Sequence, residues 1–234
     1  MTGGRWEPTV EQNVIGTVPL FDALDEQDQA ELRSLMSETT LRRGEILFNE
    51  GDPGDRLYLV VDGKVKLGHT ASDGRENLLA VLGPGELLGE LTLFDPGPRS
   101  TTATAVAPTR LLALEHDALM NFADSRPALS RHMLKALAQR LRRTNESLAD
   151  LVFSDVPGRV AKALLDLADR FGQPTDEGVH VPHDLTQEEL AQLVGASRET
   201  VNKSLAEFVS RGWIRLEGRA VLLIDLDRLR RRAR

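Results

Sequence analysis

The chain has 234 residues, 36 acidic against 29 basic, and no cysteine. That length suits two modest domains or one large one, and the lack of thiols excludes a disulfide framework, a Cys-ligated zinc finger, a cysteine-held iron–sulfur cluster and a cysteine nucleophile. No apolar run approaches the ~18 to 20 residues of a membrane span, and the opening MTGGRWEPTVEQNV lacks the hydrophobic stretch of a signal peptide, so a cytoplasmic protein is expected. The net charge of −7 argues against a nucleic-acid partner only until it is divided: residues 1–154 carry 16 Lys/Arg and 23 Asp/Glu, whereas residues 155–234 carry 13 of each. The second part lacks the acidic excess, and its local pattern has to decide.

In chain order, Leu20 to Met36 reads as helical. Ten of the 19 glycines then fall between Gly44 and Gly97, separating short runs such as ILF, LYLVV, KVKL and NLLAVL. Short apolar or alternating runs bounded by Gly, Asp and Pro predict an antiparallel roll or barrel. ValAspGly at 61–63 and SerAspGly at 72–74 supply tight-turn chemistry. GlyProGlyGluLeuLeuGly at 83–89 looks superficially like a dinucleotide fingerprint, but no parallel βαβ pattern surrounds it.

The segment GELTLFDPGPRSTTA at 89–103 carries ligand chemistry. Gly89 lets backbone approach a ligand closely, and Glu90, Leu91 and the residues up to Phe94 predict a short helical turn whose N–H groups face an anion. Glu90 can accept from a ribose hydroxyl. Arg99 is the only Lys or Arg between Arg75 and Arg110, which makes it the expected partner of a buried phosphate, with Ser100 and Thr101 adding hydroxyl donors. The competing structural reading pairs Arg99 with Glu90 or Asp95 on the surface.

After Pro127 the period changes. Leu134, Leu137, Leu141, Thr144, Leu148 and Leu151 recur in steps of three and four, the seam of a helix of roughly 25 residues, about 37 Å long. Such a helix either lies on its own domain or, the reading favoured here, pairs with a twin in a homodimer. Thr144 is the polar residue in this leucine-rich seam, followed by Asn145. SerAspValProGly at 154–158 ends the helix and starts another, with Asp155 placed to cap it and Pro157 tolerated in its first turn. That second helix, 157–171, is expected to stop at Gly172 as a left-handed terminator.

The stretch LTQEELAQLVGASRETVNKSLAEFVSR at 185–211 is the most informative. Thr186 and Glu189 form a capping box; Gly195 sits where two helices joined by a tight turn need positive φ; Ser197 caps the second helix. On that helix Val201, Leu205, Phe208 and Val209 share one face, while Glu199 and Lys203 project from the other and Arg198 stands at the N-terminal end. TrpIleArgLeu at 213–216, the turn GluGlyArg and AlaValLeuLeuIle at 220–224 add a hairpin wing. This is helix-turn-helix geometry, in which the start of the second helix meets base edges and caps meet phosphates. Arginine suits the paired acceptors of guanine, glutamate the amino donor of cytosine, and lysine guanine or phosphate. The alternative is a plain helical hairpin with a Glu199–Lys203 salt bridge.

LTQEELAQLVGASRETVNKSL closely resembles the recognition motif of the cAMP receptor protein/FNR (Crp/Fnr) family of bacterial transcription regulators, and 89–103 resembles the phosphate-binding cassette of cyclic-nucleotide-binding domains. The similarity runs over nearly all of residues 17–227 and is greatest toward the actinobacterial cAMP-receptor-type (GlxR-like) branch. The resemblance implies an α+β chain: an N-terminal tail 1–16, a cyclic-nucleotide-binding β-roll 17–126, a long central dimerisation helix 127–153, a hinge 154–157 and a winged helix-turn-helix 158–234. It implies cAMP as allosteric effector, held by Gly89, Glu90, Leu91, Arg99, Ser100 and Thr101, with Thr144 and Asn145 bonding the adenine amino group, one of them across the subunit boundary. Many relatives carry ThrSer there, so Asn145 is a departure, and Thr144 can equally set the register of the seam. The resemblance makes Arg198, Glu199 and Lys203 the readers of a TGTGA-like half-site, with Thr186 and Ser197 on phosphates. Lys203 stands where the best-known members have arginine, which exchanges a fork for one flexible contact. The implied partners are double-stranded DNA, a second copy of the chain and RNA polymerase, with no membrane.

No metal, haem or iron–sulfur cluster is expected: His180 and His183 lie in a strand and loop, and His69 reads as a surface residue. No catalytic constellation appears, so the chain is not expected to be an enzyme. The rival readings are a same-fold regulator with another effector or constitutive DNA binding, a nucleoid-associated structural DNA binder, and a cyclic-nucleotide regulatory subunit for a kinase.

Overall fold

The computed structural model describes residues 14–16, 18, 20, 21, 24–70, 76–95, 97–126, 129, 131–135, 137, 138, 141, 142, 144, 145 and 154–233. Contacts divide the chain into two compact units, Met1–Lys66 with Leu82–Arg142 and Leu67–Val81 with Arg143–Arg234.

In the first unit the helix expected over 20–36 is confined to α1 (Glu26–Ser34). Asp25 takes an extended conformation and accepts from the Asp28 N–H, and a capping residue of that kind starts a helix rather than continuing one. The roll follows, its β4 and β5 drawn mostly from the Leu67–Val81 segment that is grouped with the second unit: β1 (Ser37–Leu41), β2 (Ile46–Phe48), β3 (Arg56–Asp62), β4 (Val65–Thr70), β5 (Glu76–Leu82), β6 (Leu87–Leu88), α2 (Leu91–Phe94), β7 (Thr102–Ala105), β8 (Thr109–Glu115) and α3 (His116–Asp124). Its strands form two four-stranded sheets, ordered β1-β8-β3-β6 and β2-β7-β4-β5. The pairs β1–β8, β3–β8, β3–β6 and β2–β7 are all antiparallel, which removes the dinucleotide-fold reading of 83–89.

The two faces of β3 do different work. Leu57, Leu59 and Val61, two residues apart, join Leu112 and Leu114 of β8 in a core closed by Phe21 and Leu32 on one side and Leu119 and Phe122 on another. Tyr58 and Val60 alternate to the opposite face. Central strands buried on both faces read as continuous apolar runs, which is why LYLVV and LLAL show no alternation.

The described residues between 129 and 145 are helical. Along the expected seam Leu134 and Leu141 are 66% and 62% exposed, and Leu148 and Leu151 lie outside the described residues.

The second unit is built on α4 (Val156–Phe171), whose buried residues Val160, Ala161, Leu164, Leu167 and Phe171 recur at helical spacing. Asp155 caps it, accepting from the Gly158 N–H, and Pro157 occupies the first turn. The helix ends at Gly172 as expected, but with φ and ψ of −68° and 136°, extended rather than left-handed. Glycine is needed there for space, since a Cβ would lie 2.2 Å from the Ala168 carbonyl oxygen. Then come β9 (Gln173–Thr175), β10 (Gly178–Val181), α5 (Gln187–Val194), α6 (Arg198–Ser210), β11 (Ile214–Glu217), β12 (Ala220–Leu223) and α7 (Leu226–Arg232), the strands forming one sheet ordered β11-β12-β10-β9. Val201, Leu205 and Phe208 of α6 are buried as expected, with Phe208 stacked on Trp213 at 5.3 Å. Val209, expected on the same face, is 42% exposed: 100° steps carry it past the edge of the buried stripe, and Ser204 fills that stripe instead by bonding the Thr200 carbonyl. The arginine-rich end forms α7, and its Arg232 pairs with Asp155. That ion pair, with the Gly158 N–H, holds the Asp155 carboxyl below its ordinary range.

Candidate functional site

In the first unit the chemistry gathers on Arg99. Its side chain is 4% exposed, and its guanidinium donates to the carbonyl oxygens of Arg56 (2.7 Å) and Gly89 (3.2 Å) and to the Thr92 hydroxyl (3.4 Å). Among the described residues no carboxylate lies within ion-pairing distance of it, and its buried Nε makes no hydrogen bond, so the surface pair with Glu90 or Asp95 does not form. Burial pulls Arg99 below the usual arginine range, opposed by Tyr58, Asp55 and Asp52. A buried cation satisfied by neutral carbonyls retains its charge for an incoming anion.

The backbone around it is shaped for this. Gly89 has a φ of +76°, and a Cβ there would lie 2.4 Å from Arg99 Nη1, so both conformation and space demand glycine. Gly54 is excluded from carrying a side chain by Thr92, 2.3 Å from where its Cβ would stand. The turn after β2 clasps the Arg99 backbone on both sides: Gly51 N–H donates to the Arg99 carbonyl and Arg99 N–H to the Asp52 carbonyl, each at 2.8 Å. Glu90 precedes α2, a single turn of four residues, and is partly buried with Thr101; Leu91 and Ser100 are exposed. Thus Gly89, Glu90, Leu91, Arg99, Ser100 and Thr101 come together around one short connection. These residues fit a cyclic phosphodiester: one buried, unneutralised guanidinium, a close glycine approach and flanking hydroxyls. Thr144 and Asn145 are helical and exposed, and belong to the second unit.

Phe48, Tyr58 and the Asn49–Gly54 turn were not singled out by the sequence. The Arg99 Cζ stands 4.3 Å from the Phe48 ring centroid and 5.8 Å from that of Tyr58. Their alternation reads as ordinary strand hydrophobics, and only the fold brings them to an arginine about 40 to 50 positions away.

In the second unit the capping box is complete. Thr186 Oγ1 accepts from Glu189 N–H at 3.1 Å, and Glu189 accepts from Thr186 N–H at 2.7 Å. Gly195 is left-handed at φ 67°. Ser197 accepts from the Thr200 N–H, and the two hydroxyls lie 2.8 Å apart, which puts Thr200 beside the expected candidates. Arg198, Glu199 and Lys203 are all exposed on α6, and among the described residues no ion pair ties Glu199 to Lys203, so the salt-bridged hairpin is not what forms. A further residue without a sequence signal is Arg159 of α4: its guanidinium donates to the carbonyls of Val194 (3.0 Å), Gly195 (3.3 Å) and Ser154 (2.7 Å). It satisfies orphan carbonyls at the end of α5 while holding the segment before α4. Among the described residues no group of acidic or histidine side chains is arranged to hold a metal ion, and no helix is long and apolar enough to cross a membrane.

A β-roll with a buried arginine that has no acid partner, joined in one chain to a winged helix-turn-helix, is the build of a ligand-responsive, DNA-binding regulator. Residues 38–126 match the cyclic nucleotide-binding domain family, and residues 158–232 match the Crp-like helix-turn-helix domain family. The chain is 53% identical over 221 residues to the CRP-like cAMP-activated global transcriptional regulator of Mycobacterium tuberculosis, covering 94% of this chain and 99% of that protein. It is similar to the crystal structure of the Thermus thermophilus catabolite activator protein (36% identity, TM-score 0.54, covering 92% of this chain and 98% of that one). FixK2 from Bradyrhizobium japonicum shares the fold at 24% identity and TM-score 0.75, over 84% of this chain and 96% of that one. The chain belongs to the Crp/Fnr family of transcription regulators, on its actinobacterial cAMP-receptor-type side. The expectation of a regulator rather than an enzyme agrees with these relatives.

Proposed function

We propose that this chain is a cAMP-responsive transcription regulator that works in the cytoplasm as a homodimer on a TGTGA-like palindrome. The observation that carries this reading is the Arg99 guanidinium, 4% exposed and bonded only to neutral oxygens, in the same chain as a capped helix displaying Arg198, Glu199 and Lys203. Arg99 neutralises the cyclic phosphate with help from Ser100 and Thr101, Glu90 accepts from the ribose hydroxyl, and Gly89 and Leu91 shape the approach. Thr144 and Asn145 meet the adenine amino group on the central helix, where exposed Leu134 and Leu141 supply an apolar seam for a second copy. A ligand that touches that seam changes how the helices pair and so biases the DNA-binding domains through the 154–157 hinge.

Arg198, Glu199 and Lys203 then read base edges, while Thr186 and Ser197 hold phosphates. Two such helices related by a two-fold axis enter successive major grooves. The corresponding division of the chain is 17–126, 127–153, 154–157 and 158–234, with RNA polymerase as the downstream partner. The test is calorimetric titration with cAMP and cGMP, followed by fluorescence anisotropy on a TGTGA palindrome and on scrambled DNA, with and without cAMP. Binding of cAMP and tighter, palindrome-selective DNA binding in its presence are expected. Silence toward cAMP with selective DNA binding would transfer the effector role to another molecule, and equal affinity for both DNAs would leave a structural DNA binder.

A further inference from the structure

Arg99 faces a problem common to anion sites. A carboxylate partner would hold the guanidinium in place but would have to be displaced by the incoming phosphate; the neutral oxygens of Arg56, Gly89 and Thr92 hold Arg99 along its N–H directions and leave its faces to be packed. The ring nearest it is Phe48, 8% exposed at the end of β2, with its centroid 4.3 Å from the Arg99 Cζ. Tyr58 stands 5.8 Å from the same atom and 6.1 Å from Phe48. That ring separation is far short of what a sandwich requires, so the two rings line one flank of the cation. An aromatic face attracts a cation through its quadrupole without supplying a full negative charge. β2 and the turn that follows therefore hold both ends of Arg99: Gly51 and Asp52 clasp its backbone, and Phe48 faces its guanidinium.

Resting on the reading of Arg99 as the phosphate partner, we propose that Phe48 is a positioning residue for cyclic-nucleotide binding, fixing the Arg99 guanidinium while leaving its charge available to the phosphate. Phe48 touches the ligand only through Arg99. Aliphatic packing against β7 alone would be served as well by leucine; a cation over a ring would not.

The experiment is a double-mutant cycle on the full-length protein, titrated calorimetrically with cAMP, with thermal unfolding of each variant recorded without ligand. Phe48→Leu is expected to weaken cAMP binding about 5- to 10-fold, the scale of a partly desolvated cation–π contact. Phe48→Tyr, which keeps the ring, should stay within about twofold of the parent. In an Arg99→Ala background Phe48→Leu should cost nothing further, because the group it positions is gone. Undiminished binding by Phe48→Leu, or the same loss with and without Arg99, overturns the proposal. If Phe48→Leu does not fold, Phe48→Met carries the same cycle. Failure of the parent protein itself to bind cAMP would overturn the effector reading, and the role of Phe48 with it, before any variant is compared.

Discussion

Arg99 and Arg198 are the same side chain used in opposite surroundings. Arg99 is buried in the roll, its two terminal nitrogens donating to carbonyl and hydroxyl oxygens and its flank facing aromatic rings. Arg198 is exposed at the start of α6, and what is fixed is the helix beneath it, through the Ser197 cap, the left-handed Gly195 and the Phe208–Trp213 stack. A small anion that must be pulled from water is met by a cation that has already lost its own water, so little reorganisation remains on binding. Duplex DNA is already a polyanion, and long exposed side chains can adjust to its edges as they dock. One region preorganises the side chain, the other preorganises the scaffold.

If that contrast holds, the largest effect should come from damaging the scaffold rather than any reader. Phe208→Ala empties a fully buried position and should cost the second unit about 3 to 5 kcal/mol, read by chemical denaturation, while cAMP affinity of the folded protein is unchanged. A parallel loss of cAMP affinity would show that the two regions are not separable. Arg198→Ala should cost about 1 to 3 kcal/mol on the palindrome and relax preference at one base pair, measured by anisotropy against single-base variants; equal loss on random DNA would reduce Arg198 to a phosphate contact. Arg99→Ala should weaken cAMP binding by about 2 kcal/mol, by calorimetry, and leave the proposed dimer unchanged, by light scattering. Unchanged affinity would put the phosphate elsewhere. The smallest effect is expected for Thr186→Ala, which breaks the capping box and should lower the stability of the second unit by about 1 kcal/mol. A loss of DNA affinity beyond that, equal on the palindrome and on scrambled DNA, would add the phosphate contact proposed for Thr186.

Legibility differed between the two regions for a physical reason. The helix-turn-helix was readable residue by residue because its determinants are local: Thr186 bonds Glu189, Ser197 bonds Thr200, and Gly195 obeys its own φ. Gly89 and Arg99 could be named because glycine and an isolated cation stand out in any chain, but their partners could not. Arg56, Phe48 and Tyr58 reach Arg99 across strand pairings that leave no trace in the spacing of residues. Local reasoning also failed where space rather than dihedral angle was decisive, as at Gly172, and where a cap divided what looked like one helix, as at Asp25.

By itself the sequence determined that a roll precedes a winged helix-turn-helix, the caps and turn of that helix-turn-helix, and the identity of the lone cation in 76–109. The tertiary structure alone decided that this cation is buried without an acid partner, that an aromatic flank and two backbone carbonyls orient it, and that Arg159 ties the segment before α4 to the helix-turn-helix turn. Caps and turns are settled within three or four residues of one another, whereas the electrostatic surroundings of a buried charge depend on every strand the fold brings against it.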